Sequence, residues 1–413
     1  MSAPPDAVAR WRGRDECGVD VELGAGAGQT GDVARLTFPP AALPASTERL
    51  RTEVRTFLAD EIAAGSFVPR CDTWLSQHDP VFSKKLGAAG FLGLPWPKEY
   101  GGHGRTVLDR FVVVEELLAH GAPIAAHWVS DRQSGPAVLK HGTEQARREL
   151  VPGMATGEIF FSIGMSEPDA GSDLANIRST ATRTDGGWLL NGTKVWTSQA
   201  HNNHYFIVLV RTTPLAEAGA KQRGLSQFIM DLRAPGTDIR PIRLLTGHHH
   251  FNEVVMTDVF VPDHYLLGEL GNGWEQCIGE LAFERSGPER YLSTYPLLSA
   301  LIDAVGPNPS TEAAAALGML VTRLTALRRL CISVACSLDE GRLPVTEAAL
   351  VKDMGTKLEG EIGEVARQLV PPGHNPVFDQ LVGDAILSAP GFTLRGGTNE
   401  ILRGIVAREL GVR

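Results

Sequence analysis

Two segments of this chain carry side chains suited to holding a flat, polarisable cofactor. The first, Met165-Ser-Glu-Pro-Asp-Ala-Gly-Ser-Asp173, is a run of small residues whose backbone N–H groups lie open to close approach by a planar ligand. Ser166 and Ser172 add hydroxyls to it. The second, Asn191-Gly-Thr-Lys-Val-Trp-Thr-Ser198, offers the face of Trp196. Ser198 follows two residues on, on the same side of an extended strand. An aromatic plane beside a hydroxyl is what a flavin ring needs, a surface to stack on and a partner for a ring nitrogen. Taken singly, the two segments also read as a polar turn and as a core tryptophan next to a surface serine.

Together with Trp96-Pro-Lys-Glu-Tyr-Gly-Gly102, Phe251-Asn-Glu-Val254 and Gly396-Gly-Thr-Asn-Glu-Ile401, these segments resemble the acyl-CoA dehydrogenase family, in order, from about residue 46 to the C-terminus. The resemblance implies an α+β multidomain fold: an N-terminal helical domain, a middle β-barrel-like domain and a C-terminal four-helix bundle. FAD would lie between the last two. It also implies roles. Met165 and Ser166 would meet the flavin, Ser172 would stand at the mouth of the substrate and cofactor site, and Trp196 would pack at the ring. Ser198 would bond near the reactive nitrogen, where many relatives carry threonine. Thr398 and Glu400 would contribute to the cofactor site, and Arg285 would lie near the substrate.

The implied chemistry is α,β-dehydrogenation of an acyl thioester. It needs a carboxylate against the α-carbon and hydrogen-bond donors aimed at the thioester oxygen, where negative charge develops. Many members of the family carry Glu directly before the Gly-Thr of the last motif. Here that residue is Gly396, whose backbone N–H would be one donor to the thioester oxygen. A minority, including isovaleryl- and long-chain acyl-CoA dehydrogenases, carry the base in an earlier helix as Glu-Arg, and Phe283-Glu284-Arg285 stands at the matching place. Glu284 is therefore the expected base and Glu289 the alternative. On one continuous helix, five residues turn by about 500°, so the two carboxylates would point roughly 140° apart.

Two family segments are absent. Leu301–Thr311 does not contain an Arg-x-x-Phe-Gly run, and Gln368–Gly373 does not supply a Gln-x-x-Gly-Gly-x-Gly run. Both would touch the adenine and pyrophosphate half of FAD. The expected partners are an acyl-CoA or acyl carrier protein thioester, an electron-transfer flavoprotein, and further copies of the chain in a homodimer or homotetramer. Two other readings are a flavin-dependent monooxygenase or oxidase of the same fold, and a flavin-poor partner subunit of a mixed oligomer.

The elements that must position these residues are legible in outline. Residues 1–40 read as a flexible extension rich in Gly, Ala and Pro. Helical periodicity from a cap at Ser46 sets a domain at 41–158. Apolar and β-branched runs at 187–192, 205–210, 225–230 and 251–261, with a turn signal at Asn191-Gly192, set a β domain at 159–272. Long periodic segments at 273–283, 311–338, 347–369 and 397–410 set the last domain at 273–413. Of the 413 residues, 43% are hydrophobic and 21% charged, and the net charge of 39 − 48 = −9 comes without a basic block. That balance excludes a disordered chain and disfavours nucleic acid or an anionic membrane as partner. No apolar run reaches the ~18 residues of a membrane span. The five scattered cysteines suit free thiols in a cytoplasmic protein. His248 and His250 alternate sides and could chelate an ion, but no spacing completes a metal site.

Overall fold

The structure, a computed structural model, describes residues 36–40 and 42–412, with the side chains of residues 280–284 outside the description. Cys17 and most of the expected extension lie outside the described residues. Its described end is tethered, the Thr37 N–H donating to the Glu347 carboxylate at 3.0 Å.

The first helical block comprises α1 (Ala45–Ala63), α2 (Thr73–Ser76), α3 (Pro80–Ala88), α4 (Val107–Ala119), α5 (Gly135–His141) and α6 (Glu144–Ala155). Leu50, Val54 and Leu58 recur every fourth residue on α1 and are buried together, a single apolar stripe. The expected cap at Ser46 is not used. Pro44 precedes the first turn without a side-chain bond, and the Thr47 hydroxyl donates instead to Asp109 at 2.7 Å. α4 does have a capping box, between Thr106 and Asp109. A wide π-turn over Ser130–Ser134 leads into α5 and buries Asp131, Arg132 and Gln133.

The middle is one eight-stranded sheet, β1 (Phe161–Gly164), β2 (Thr180–Thr184), β3 (Gly187–Ser198), β4 (Tyr205–Arg211), β5 (Leu225–Asp231), β6 (Thr237–Ile242), β7 (Phe251–Pro262) and β8 (Leu266–Leu267). The order is β6-β7-β3-β2-β4-β5-β8, with β1 alongside β4. Residues of β5 and β7, which are not neighbours, share one apolar cluster with Trp188, Leu190 and Phe206. The Trp188 and Phe228 rings meet at 5.4 Å. The sheet therefore curls around its own core. Asn191-Gly192, expected to turn, lies inside β3, where the register against β7 shifts. Gly192 has φ +143° and the Asn191 amide bonds Asp258 across the sheet at 2.8 Å. The β2–β3 turn falls on Asp185-Gly186, whose glycine takes φ +71°, the positive value a two-residue hairpin demands.

The last block holds α7 (Gly273–Arg285), α8 (Tyr295–Val305), α9 (Thr311–Asp339), α10 (Val345–Leu369), α11 (Pro376–Phe392) and α12 (Asn399–Glu409). α10 runs through its centre, against α7, α8, α9, α11 and α12. The two helical blocks share one core, since Leu117 of α4 clusters with Leu320, Leu324 and Leu358. α8 and α11 are additions to the elements expected from sequence. Pro296 and Pro376 sit in the first turns of these helices, where proline is tolerated, and Pro390 lies in the last turn of α11. Among the described residues no helix is long and apolar enough to cross a membrane.

Candidate active site

A buried ion pair joins the two segments that the sequence singles out. Lys194 of β3 is fully buried and its Nζ donates to Glu167 Oε1 at 2.8 Å and to the Met165 carbonyl at 3.1 Å. Glu167 also accepts the backbone N–H groups of Arg178 and Ser179 at 2.6 and 2.9 Å, and the Val195 N–H donates to the Ser166 carbonyl at 2.9 Å. Burial pushes Lys194 down to about 8 against the attraction of Glu167. Burial opposes ionisation of Glu167, but Lys194 and the N–H donors outweigh it and hold the carboxyl below its ordinary range.

Just beyond this tie, β3 bulges. Lys194 pairs with Val254 and Thr197 with Asn252, so two residues on β3 oppose one on β7. Trp196 sits in that bulge with φ +60°, a left-handed conformation rare for a bulky side chain. The alternation that would put Trp196 and Ser198 on one side is thereby broken. They are brought together another way. Phe251 pairs across the sheet with Ser198, and its ring meets Trp196 edge-on at 5.9 Å. Trp196 is 56% exposed, an open indole face beside a half-buried hydroxyl. Met165 and Ser166 are half-buried and Ser172 is exposed. A Cβ added at Gly171 would find no atom within 4 Å.

The second group of residues gathers at the end of α7. Arg285, 6% exposed, donates to the Gly396 carbonyl at 3.3 Å. Gly396 and Gly397 both have positive φ, +71° and +88°, so the turn requires glycine at both places. Lys352 of α10, fully buried, donates to the Gly397 carbonyl at 2.8 Å and to Asn399 at 2.7 Å. Arg395 forms a two-pronged pair with Asp72 at 3.0 and 2.7 Å, over the Trp74 ring at 4.2 Å. Thr398 caps α12 by accepting the Ile401 N–H. Exposed Glu400 stands in its first turn, below the usual carboxylate range because of its backbone N–H and the Thr398 hydroxyl.

α7 spans both groups. Cys277, near its start, packs with Ala170, Ile177 and Met165, and its last residue is Arg285. Position 284 lies on this helix, two turns from Cys277; the Glu284 side chain is outside the described residues.

Glu289 is not on that helix. α7 stops at Arg285, and Gly287 leads into a 3-10 turn over Pro288–Arg290, because proline cannot extend the preceding turn. The helical-wheel separation expected between Glu284 and Glu289 therefore does not apply. Glu289 is fully buried, accepting from Trp128 Nε1 at 3.2 Å and from Arg132 at 3.1 Å. Arg132 stacks on Trp128 at 3.7 Å and also lines a cavity of about 420 Å³ between α5 and α7. His250 is buried and feels the charges of Asp72 and Arg395. His249 bonds Asn252 at 2.8 Å. Among the described residues no group of three metal-ligating side chains forms, and Cys71, Cys277, Cys331 and Cys336 are free thiols.

The residues present fit a flavin. An exposed indole held in a strained bulge, a neighbouring hydroxyl with no hydrogen bond to another described residue, and an open glycine loop form a stacking surface with donors at its rim. Lys194, Glu167 and Lys352 were not among the residues expected to matter. The first two lie within the recognised segments, but nothing in the sequence marks them as buried.

Models of the N-terminal, middle and C-terminal domains of acyl-CoA dehydrogenases match residues 44–158, 162–259 and 313–411. α7, with Glu284, and Glu289 fall between the second and third matches. The chain is 31% identical over 382 residues to the acyl-CoA dehydrogenase FadE29 of Mycobacterium tuberculosis, covering 87% of this chain and 95% of that protein. It is likewise 31% identical over 390 residues to the acyl-CoA dehydrogenase IpdE1 of Mycolicibacterium smegmatis, covering 88% and 97%. Among solved structures, one titled the Tcur3481-Tcur3483 steroid ACAD superposes with a TM-score of 0.80 at 27% identity, covering 90% of this chain and 98% of that one. The ChsE4-ChsE5 complex of Mycobacterium tuberculosis gives 0.76 at 26%, covering 90% and 98%. With all three domain models matched in order on a helix–sheet–helix fold, this chain belongs to the acyl-CoA dehydrogenase family of flavoprotein oxidoreductases.

Proposed function

We propose that the chain binds FAD and oxidises an acyl thioester, carried on coenzyme A or an acyl carrier protein, to the 2-enoyl thioester. Met165, Ser166, Ser172, Trp196 and Ser198 would hold the flavin, with Thr398 and Glu400 at its edge. When bound, the flavin supplies a hydride acceptor for the β-hydrogen. Glu284 removes the α-proton. The Gly396 N–H donates to the thioester oxygen, where the enolate-like charge of the transition state is most in need of a fixed donor. Arg285 supports both, being the neighbour of Glu284 in the chain and a donor to the Gly396 carbonyl.

The observation that carries this reading is α7 itself, whose two ends touch the flavin loop and the Gly396 turn. The test is an absorbance spectrum of the purified protein, followed by anaerobic bleaching with a panel of acyl-CoA thioesters. A colourless protein, or a yellow one that no thioester bleaches, ends the proposal. An electron-transfer flavoprotein is the expected oxidant of the reduced protein, and the cytoplasm its expected compartment.

The chain also assembles, on this reading, with further copies or with a companion subunit. Two structural neighbours bear titles naming two chains each. Val377, Leu387, Leu394 and Ile401, on and between α11 and α12, stay exposed here, an apolar set larger than a lone surface leucine explains. Mass measurement in solution, alone and after co-expression with its genomic neighbours, separates the two assemblies.

A further inference from the structure

The chemistry above leaves Asn252 and the histidines around it without a role. Asn252, on β7 opposite Thr197, is fully buried. Its Nδ2 donates to the Thr197 carbonyl at 3.0 Å, and its Oδ1 accepts from two imidazoles, His249 Nε2 at 2.8 Å and His201 Nδ1 at 3.1 Å. The two rings stack at 4.0 Å, 16° from parallel. Thr197 follows Trp196 in the chain, so Asn252 fastens β3 where the bulge ends and pairing with β7 resumes.

The hydrogen-bond network assigns a direction to each of these bonds. Buried Gln199 donates through Nε2 to the Leu75 carbonyl of α2 at 2.8 Å, which makes its Oε1 an acceptor. Asn202 Nδ2 donates to that oxygen at 2.9 Å and, with its second hydrogen, to His201 Nε2 at 3.0 Å. His201 Nε2 is therefore bare, and the ring proton sits on Nδ1, facing Asn252. A polar chain of fixed sense runs from the Leu75 carbonyl to the Thr197 carbonyl, and only a neutral His201 completes it. A proton added at Nε2 sets two donors against each other. Turning the Asn202 amide over would oppose its oxygen to Gln199 Oε1, and turning Gln199 as well would abandon the Leu75 carbonyl. The proton has a direct path, because His201 is exposed. Partial burial, then the His249 ring, hold His201 below the ordinary imidazole range, against the pull of the Asn252 oxygen. The other titratable group acting on it is His78, ahead of α3. His249 adjoins His250, on which Asp72 and Arg395 act.

We propose that Asn252 and His201 are positioning residues for the Trp196 bulge, and that the bulge keeps its flavin-binding form only while His201 is neutral. Acid then depletes the fraction of protein competent to bind FAD. Affinity falls as pH drops through the imidazole range and is constant above it. The inference rests on the flavin reading above.

The experiment dialyses the flavin-loaded protein against FAD at a series of pH values from about 7.5 down to about 5, the range in which histidine takes up its proton. Bound flavin is read by absorbance. The dissociation constant rises about threefold to tenfold over that range. His201→Asn places an amide nitrogen where Nδ1 stood, keeping the donor to Asn252 without a titrating group. It loses the acid dependence and binds FAD at the upper pH as the unaltered protein does. Asn252→Asp loses the donor to Thr197 and binds about tenfold more weakly at the upper pH. A flat profile in the unaltered protein overturns the proposal. So does an acid weakening that His201→Asn leaves intact, the proton then acting elsewhere, and so does normal binding by Asn252→Asp. The two profiles do not use the Asn252 variant, so poor folding of Asn252→Asp leaves them decisive. FAD bound with a flat profile confines the failure to this inference; if no FAD binds at any pH, the flavin reading falls with it.

Discussion

The Lys194 ammonium lies 2.8 Å from the Glu167 carboxylate with its side chain fully out of solvent, and this one pair ties the Met165–Asp173 loop to the strand that carries Trp196. Removing one partner of such a pair leaves the other buried and uncompensated. Lys194→Met is expected to cost about 3–5 kcal/mol, read by denaturant unfolding. Flavin occupancy should fall with it, because the Met165 carbonyl loses its donor. A variant that keeps both stability and colour would show that the pair does not position the loop.

Trp196 separates stability from cofactor binding. A bulky residue held at φ +60° stores of order 1–3 kcal/mol, and glycine adopts that conformation freely. Trp196→Gly should therefore raise or preserve the melting temperature while weakening flavin binding at least tenfold by fluorescence titration. A drop in melting temperature of the flavin-free protein would place the indole in the core instead.

Glu284→Gln should stay yellow and bind thioester, but lose flavin reduction by about 10²-fold to 10⁴-fold in stopped-flow bleaching, the usual return on a positioned general base. Reduction at the normal rate would move the base elsewhere.

Glu359 sets a pH signature. Burial lifts its carboxyl from 4.5 to about 7, against the pull of Arg395. The folded state thus holds a proton that the unfolded chain releases, and the stability contributed by Glu359 is lost as pH rises from 4.5 through 7. Glu359→Gln removes this dependence. The stability of the variant relative to the unaltered protein should climb across that window by up to about 3 kcal/mol. Parallel stability curves would show that Glu359 is ionised throughout.

Asp72→Asn tests the clamp on the last motif. Asparagine tolerates φ +55°, as aspartate does, so the backbone survives while Arg395 loses its counter-charge. Expected are a loss of about 3–5 kcal/mol and a fall in the maximal rate of flavin reduction larger than any change in thioester affinity. An unchanged rate would uncouple Asp72 from the Gly396 turn.

Much of the fold could be read from local pattern, because alternation and helical period are set by neighbours in sequence, while the proposed flavin residues come from the family resemblance. What escaped depends on partners far away. The bulge at Trp196 arises from the register between β3 and β7, which no window on β3 reveals, and a second shift, between Leu190 and Gly192, leaves the Asn-Gly hairpin signal inside the strand. The helical period read from sequence ends at 283, and the separation of roughly 140° between Glu284 and Glu289 assumes one continuous helix; Gly287-Pro288 breaks it and sends Glu289 to Arg132 and Trp128. Lys194, Lys352 and Glu359 look like solvated charges in sequence; their burial is decided by tertiary partners. α8 and α11 lie outside the segments read as helical from sequence.

Asp72 and Arg395 are separated by 323 positions along the chain. A nascent polypeptide cannot close that bridge until almost its last residues have left the ribosome, and pairings so remote in sequence form late and slowly. Chains cut short within the final twenty residues should therefore fold most of their bulk and still lack a working centre.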